Sequence, residues 1–527
     1  MKKYAILISV CCSLQMLSAQ GLSSLQQRKL NNALMAISGL YVDSINDKKL
    51  VETAIVSMLK ELDPHSSYIS KEEVERVNEP LEGSFEGVGI QFQLMEDTLL
   101  VVQTIAGCPA EKVGVMPGDR IIYINDELIA GVKLQNSDIM KRLRGKKDTE
   151  VTVKIKRDVD TTLHVFKIIR DKIPVFSVDA NYMIGKDIGY IKVNNFGNNT
   201  VAEFQKAFTK LQKAGMKSLI LSLQGNGGGY LTAAHQLADE FLSNGKLVVY
   251  TKGLNQSKAV MEATSLGRYE TGKLIILVDE YAASASEILS GAIQDWDRGI
   301  IVGRRTFGKG LVQRQIPLVD GSMLRLTTAR YYTPTGRCIQ KSYKDGVEKY
   351  EKDLLERYKH GEFVHADSIQ FPDSLRYQTL QLKRTVYGGG GIMPDIFVPL
   401  DTTKYTDYHR KIVGQGVVNK VSVQYIDKNR TELKLKYKTF DKFQKQFKVD
   451  AAVLEQVKKY AEKEKIAFDQ KQFDISKDLI KLQLKALVAR DLWEMNEYYQ
   501  VIDSENESLI KAVEILQTKG KYEDILK

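Results

Sequence analysis

Short apolar runs alternate with amphipathic stretches across residues 171–400, and this alternation restricts the chain to a layered βαβ fold. Residues 188–193, 218–223, 246–251 and 274–278 read as strands. Residues 201–214 and 231–242 carry apolar side chains at helical spacing. Strands and helices taking turns in this way argue for a largely parallel sheet with helices packed on it.

The flanking regions have other patterns. Residues 21–80 are expected to be helical, ending in the turn Leu62-Asp63-Pro64-His65-Ser66-Ser67. A single histidine in such a turn reads as structural. Residues 81–170 hold short β-rich runs at 87–92, 99–105, 120–124 and 151–155, with a helix over 137–143 capped by Ser137. A charged insertion at 341–386, expected to be helical, interrupts the core. Residues 401–527 are Lys-rich and mainly helical, with helices expected over 453–465 and 479–495. Nothing in this last region looks catalytic.

The start of the chain reads as a secretory signal over residues 1–20. Lys2 and Lys3 precede an apolar stretch over 4–17, followed by the small residues Ser18-Ala19. Export across the inner membrane to the periplasm is the expectation. Membrane association would follow only from an uncleaved signal or from lipidation at Cys11 or Cys12. Cys108 and Cys338 then remain, too few for a disulfide framework or a zinc site, and both read as small buried hydrophobes. The net charge of +10 is spread along the chain, without the basic, aromatic-interleaved run of a nucleic-acid face.

Two residues concentrate the chemistry. Ser284 lies in Tyr281-Ala282-Ala283-Ser284-Ala285-Ser286-Glu287, between the run 274–278 and a helix over 286–296. A strand-to-helix turn exposes a side chain at the sheet edge and offers free N–H groups to a developing oxyanion. Taken alone, this serine also reads as an ordinary N-cap. The loop Gly225-Asn226-Gly227-Gly228-Gly229 shifts the balance, because it ends a strand at the edge where ligands bind. It is not a dinucleotide fingerprint, since Tyr230 stands where the third glycine would be.

Lys309 is the second. A serine hydroxyl needs a base, and a lysine with a depressed pKa can serve. Gly303 through Lys309 fits the glycine and lysine spacing of a P-loop. Gly310, however, replaces the magnesium-binding hydroxyl, and residues 311–316 alternate like a strand rather than a helix. Phe307 and Leu311 would desolvate the amine, and Gln313 can orient it. His235 and Asp239 share a helix face and leave a Ser/His/Asp arrangement as an alternative.

At these residues the chain resembles the carboxyl-terminal processing (tail-specific) serine peptidases. The resemblance spans roughly residues 35–400 and rests on several motifs: Asp63-Pro64-His65-Ser66-Ser67-Tyr68, Gly87-Val88-Gly89-Ile90, Gly118-Asp119-Arg120-Ile121, Ser284-Ala285-Ser286-Glu287, Thr306-Phe307-Gly308-Lys309-Gly310 with Gln313, Ala329-Arg330-Tyr331-Tyr332-Thr333-Pro334, and Gly391-Ile392-Met393-Pro394-Asp395. It implies Ser284 as nucleophile, Lys309 as general base and Gln313 as its orienter. The oxyanion hole would come from the N–H groups of Gly228 and Ala285. It also implies a PDZ domain over 81–170, with Val88, Gly89 and Ile90 receiving a substrate's terminal carboxylate. One stretch departs: the family's Asp-Leu-Arg before the glycine loop is here Ser222-Leu223-Gln224.

The expected architecture is therefore α/β and multidomain. A crotonase/Clp-like peptidase core over 171–400 carries an inserted or preceding PDZ domain and helical regions at both ends. The expected function is a serine endopeptidase that selects apolar C-terminal tails of proteins and cuts through an acyl-enzyme, without metal, cofactor or nucleic acid. An adaptor or a second copy of the chain is a possible partner. A silent PDZ scaffold and a nucleotide-binding enzyme are the alternatives.

Overall fold

The structure is a computed structural model that describes residues 23–157 and 162–527. The expected signal, with Cys11 and Cys12, lies outside the described residues. Among the described residues no helix is long and apolar enough to cross a membrane.

A six-stranded sheet forms the centre, in the order Val178–Ile184, Ile188–Val193, Ser218–Ser222, Lys273–Val278, Ile300–Gly303, Ile396–Phe397. Its first pair is antiparallel and the others are parallel, as the βαβ reading requires. One face is covered by helices Thr200–Lys213, Leu231–Asp239 and Ala285–Asp295, which pack on Ile191, Leu219, Leu221, Leu274 and Ile276.

The opposite face carries Tyr190, Ile220, Ile275 and Leu277, and it is covered by the end of the chain: Leu509, Ala512, Ile515 and Tyr522. The last helices, Glu507–Gln517 and Lys521–Ile525, thus complete the peptidase core instead of belonging to a separate tail.

A second sheet sits beside the first. Strand Met323–Tyr332 pairs with Leu311–Pro317, with Leu247–Gly253 and with Ser67–Ile69. The turn 62–67 therefore enters the peptidase core, although the sequence reading places it in the N-terminal helical region.

The PDZ-like domain is an insertion. Strand Ser84–Gly87 leads out of the core and Asp171–Pro174 returns, paired antiparallel from Ser84↔Pro174 to Gly87↔Asp171. Between them an antiparallel sheet runs Ile90–Met95, Thr98–Thr104, Arg120–Ile124, Glu150–Lys156, His164–Ile169. Helix Asn136–Leu143 buries Ile139 and Leu143 in that domain's core. Its capping box uses Gln135 and Asp138, so Ser137 lies inside the first turn and is not the cap.

The insertion 341–386 is only partly helical. Short helices at Val347–Glu351 and Asp353–Lys359 give way to a hairpin of Arg376–Gln378 with Thr385–Tyr387. After residue 400 the helices Asp407–Gly414 to Met495–Ile502 bury two apolar clusters of their own. The expected helix over 479–495 is the end of Gln470–Leu492, and the chain breaks direction at Trp493.

Candidate active site

Ser284 follows strand Lys273–Val278 through a short turn. The Asp279 carboxylate ties that turn together by accepting the N–H groups of Gly225, Tyr281 and Ala282. Ser284 itself has φ 55 and ψ −110. An ordinary N-cap has extended backbone, and a non-glycine residue held at positive φ costs about 1–3 kcal/mol. The surroundings sustain the strained turn. The Tyr331 hydroxyl donates to the Ser284 carbonyl at 3.1 Å, and Ser286 Oγ donates to the Asn226 carbonyl at 2.9 Å.

Glu287 joins this turn to the lysine loop. Its Oε2 accepts the N–H groups of Ser284 at 2.8 Å and Lys309 at 2.9 Å. Its Oε1 accepts the Gly308 N–H at 2.7 Å and the Thr306 hydroxyl at 2.5 Å. Burial raises the Glu287 pKa, and the four hydrogen bonds oppose that rise. Every partner donates, so the group they fit is the carboxylate. The sequence motif Ser-Ala-Ser-Glu contained this residue, but nothing in its spacing pointed to a bond with a loop 19 to 22 positions away.

Lys309 is half-buried. Desolvation lowers its pKa and the Arg325 charge adds to this, while Glu287 and Asp63 act the other way. Among the described residues no hydrogen bond or ion pair holds its Nζ. Strand Leu311–Pro317 follows it directly, and not the helix that a phosphate-binding loop needs.

Gln313 does not orient Lys309 in this arrangement. The pairing skips Thr328 of the facing strand between Val312 and Gln313, which sets Gln313 opposite Thr327. Its Nε2 donates to Thr327 Oγ1 at 3.2 Å, and Thr327 Oγ1 donates to Asp63 Oδ1 at 3.1 Å. The turn 62–67 is thereby fixed beside the lysine. His65 comes with it: burial and the Lys309 charge lower its pKa to about 4, and its Nε2 lies 2.8 Å from the Tyr350 hydroxyl. Sequence reasoning took His65 as a turn residue and missed this placement. The six motif positions Asp63 to Tyr68 were the available signal.

Gly228 packs directly against Ser284. A Cβ there would lie 2.8 Å from Ser284 Cβ and 2.7 Å from the Ala283 carbonyl oxygen. Its N–H is not free as expected, because it donates to Asn226 Oδ1 at 2.8 Å. Asparagine reaches the backbone two residues on in this way. The Ala285 N–H, at the helix start, has no acceptor among the described residues.

His235 and Asp239 are engaged elsewhere. His235 Nε2 meets the Glu262 carbonyl, and Asp239 accepts from Thr264. They form no arrangement with Ser284. Cys108 is buried and unpaired, and Cys338 is half-buried and unpaired. Among the described residues no cluster of His, Cys, Asp or Glu could hold a metal ion.

In the PDZ-like domain, Gly89 has φ 80, and a Cβ on it would stand 2.4 Å from Cys108 Cβ. The loop therefore requires glycine there. The carbonyls of Val88 and Gly89 accept from Ala110 and Ile105, whereas their N–H groups have no acceptor among the described residues. Strand Ile90–Met95 pairs on one side only, so its other edge is open.

Comparison with known proteins agrees with this layout. Peptidase family S41 matches residues 187–350 and a PDZ domain matches 87–165. The N-terminal domain of the activating protease CtpB matches 13–73, and a family of unknown function matches 408–494. A probable CtpA-like serine protease of Staphylococcus aureus is 36% identical over 60% of this chain, and the chain spans 64% of that relative's length, somewhat under two thirds. Among solved structures, the photosystem II D1 C-terminal processing protease is 29% identical, covering 60% of this chain and 90% of that one, with a TM-score of 0.33. A carboxy-terminal-processing protease of Bartonella bacilliformis is 38% identical over 60% of this chain and 74% of its own. The chain belongs to the carboxy-terminal-processing proteases of peptidase family S41.

Proposed function

We propose that this chain is a serine endopeptidase that docks the C-terminal tails of proteins on its PDZ domain and cuts them through an acyl-enzyme. The observation that carries this reading is the shared anchoring of the Ser284 turn and the Lys309 loop on Glu287. In the reaction, Ser284 Oγ attacks the scissile carbonyl carbon while Lys309 Nζ takes its proton. The depressed pKa of Lys309 favours the neutral amine this step needs. The Ala285 N–H faces the developing oxyanion, and the glycine loop supplies the second donor once its N–H is freed from Asn226. Lys309 then protonates the leaving amine. A water deprotonated by Lys309 attacks the acyl-enzyme and regenerates Ser284.

The tail would add as a strand to the open edge of Ile90–Met95, its carboxylate received by the N–H groups of Val88, Gly89 and Ile90. We place the enzyme beyond the inner membrane, on the basis of Lys2, Lys3 and the apolar stretch after them; cell fractionation tests this directly.

A specific observation favours a second reading. With the Gly228 N–H bound to Asn226, the chain would be a PDZ scaffold that binds tails without cutting. Incubation with an unstructured protein ending in apolar residues separates the two. The peptidase reading expects fragments, and binding of the intact protein without fragments would support the scaffold.

A further inference from the structure

The helical region after residue 400 has no part in the chemistry above, and its central stretch matches a family of unknown function. Its contacts reach both working parts of the molecule. At one end, helix Val417–Lys436 lies on the outer face of the PDZ sheet, where Val423 packs against Leu100 and Val102 in a buried cluster. Asp427 pairs with Arg120 at 2.5 Å, and Gln103 Nε2 donates to the Trp493 carbonyl at 2.8 Å. Asn419 donates to Gln93, on the strand with the open edge.

The other end grips the glycine loop. Helix Met495–Ile502 starts two residues after Trp493 and runs along strand Val178–Ile184. Beyond it, Asn506 Nδ2 donates to Gln224 Oε1 at 2.8 Å. The buried Lys192 donates to the Gln224 carbonyl at 2.7 Å, and its amine lies 5.2 Å from the centre of the Tyr499 ring. Gln224 opens the loop whose Gly228 touches Ser284, and it stands where the resemblance expects arginine. The side chain of this residue is thus held by the segment 495–506, and its backbone by Lys192 of the central sheet, whose amine the Tyr499 ring faces.

We propose that the helical region 407–506 is a strut that sets the glycine loop of the active site relative to the PDZ sheet. Asp427 and Val423 are its positioning residues at the sheet, and Asn506 is its positioning residue at the loop. Packed helices transmit a displacement at one end to the other because tightly packed interiors have low compressibility. The proposal rests on the reading of Ser284 as nucleophile and of strand Ile90–Met95 as the tail receptor.

Hydrogen exchange of the full chain, read by mass spectrometry over residues 222–230, tests it without depending on catalysis. The double variant Val423→Ala/Asp427→Ala changes nothing that touches the loop. It is nevertheless expected to raise exchange over 222–230 about tenfold, as Asn506→Ala does by direct loss of contact. Exchange over 273–278 should stay unchanged. A peptide ending in an apolar residue with a free carboxylate is expected to alter exchange over 222–230 in the wild type and not in the double variant. Loop exchange identical in wild type and in a folded Val423→Ala/Asp427→Ala protein would overturn the strut. A peptide that gives no protection over 88–95 would instead count against the tail-receptor reading, and the arm without peptide still decides the strut.

Discussion

Ser284 and Lys309 donate their backbone N–H groups to the same oxygen of Glu287, at 2.8 and 2.9 Å. One buried carboxylate therefore fixes the separation of the two loops on which the proposed chemistry depends. Glu287→Gln keeps the shape but turns an NH2 group toward two N–H donors. Each lost hydrogen bond to a charged acceptor is worth about 1.5–3 kcal/mol. The variant is expected to lose about 3–5 kcal/mol of stability in urea unfolding and at least about a hundredfold in kcat. Removing the negative charge also lowers the Lys309 pKa further, so the rising limb of any residual pH–rate profile should move to lower pH.

Gly228→Ala tests the contact between the glycine loop and Ser284. The added methyl meets Ser284 Cβ and the Ala283 carbonyl at a residue with φ 101. Backbone must shift to admit it. Labelling of Ser284 by a serine-reactive phosphonate is expected to slow by about a hundredfold or more.

His65 makes stability depend on pH. Its folded pKa is lowered to about 4 from 6.5, so between these values the unfolded chain binds more protons. The contribution is complete above pH 6.5 and is lost as pH falls toward 4. His65→Gln should flatten this window by roughly 1–3 kcal/mol, read as the difference in urea unfolding at pH 7 and pH 4.5.

Deletion of residues 507–527 uncovers one face of the central sheet. Leu509, Ala512, Ile515 and Tyr522 leave their contacts, and the Tyr522 hydroxyl no longer bonds the Leu274 backbone. Burial of these side chains is worth roughly 5–8 kcal/mol, on the scale of the total stability of a domain. The truncated chain is expected to be insoluble or unfolded by circular dichroism.

Much of the core was legible because local pattern and burial agree there. The strands from Ile188–Val193 to Lys273–Val278 are apolar at nearly every position, and the structure covers them on both faces. The same signal went unread in the PDZ domain. Leu99-Leu100-Val101-Val102 is continuous where a strand open to solvent on one face would alternate, and Val423 covers the outer pair. Ser284 stands out in a strand-to-helix turn of small residues, and Lys309 in a glycine-bounded loop. Their link through Glu287, and the placement of His65 beside Lys309, depend on pairings made only by the complete fold. The strand Ser67–Ile69, which brings His65 in, pairs with residues 323–325, a distance that no local pattern encodes. Gln313 stands four residues beyond Lys309 and matches the family's orienter, but the pairing sets it against Thr327, to which its side chain bonds. The resemblance implies a Gly228 N–H free for the oxyanion, but the Asn226 side chain competes for that donor.

The most direct test of the central claim is acylation of the wild type, Ser284→Ala and Lys309→Ala by a fluorescent peptidyl phosphonate across pH 6 to 10, followed by location of the label. The account predicts labelling of the wild type at Ser284, rising with pH as Lys309 loses its proton. No labelling is expected in Ser284→Ala, and at least about a thousandfold slower labelling in Lys309→Ala, without the rise assigned to Lys309. Labelling that persists in Ser284→Ala, or a Lys309→Ala rate equal to the wild type, would contradict it.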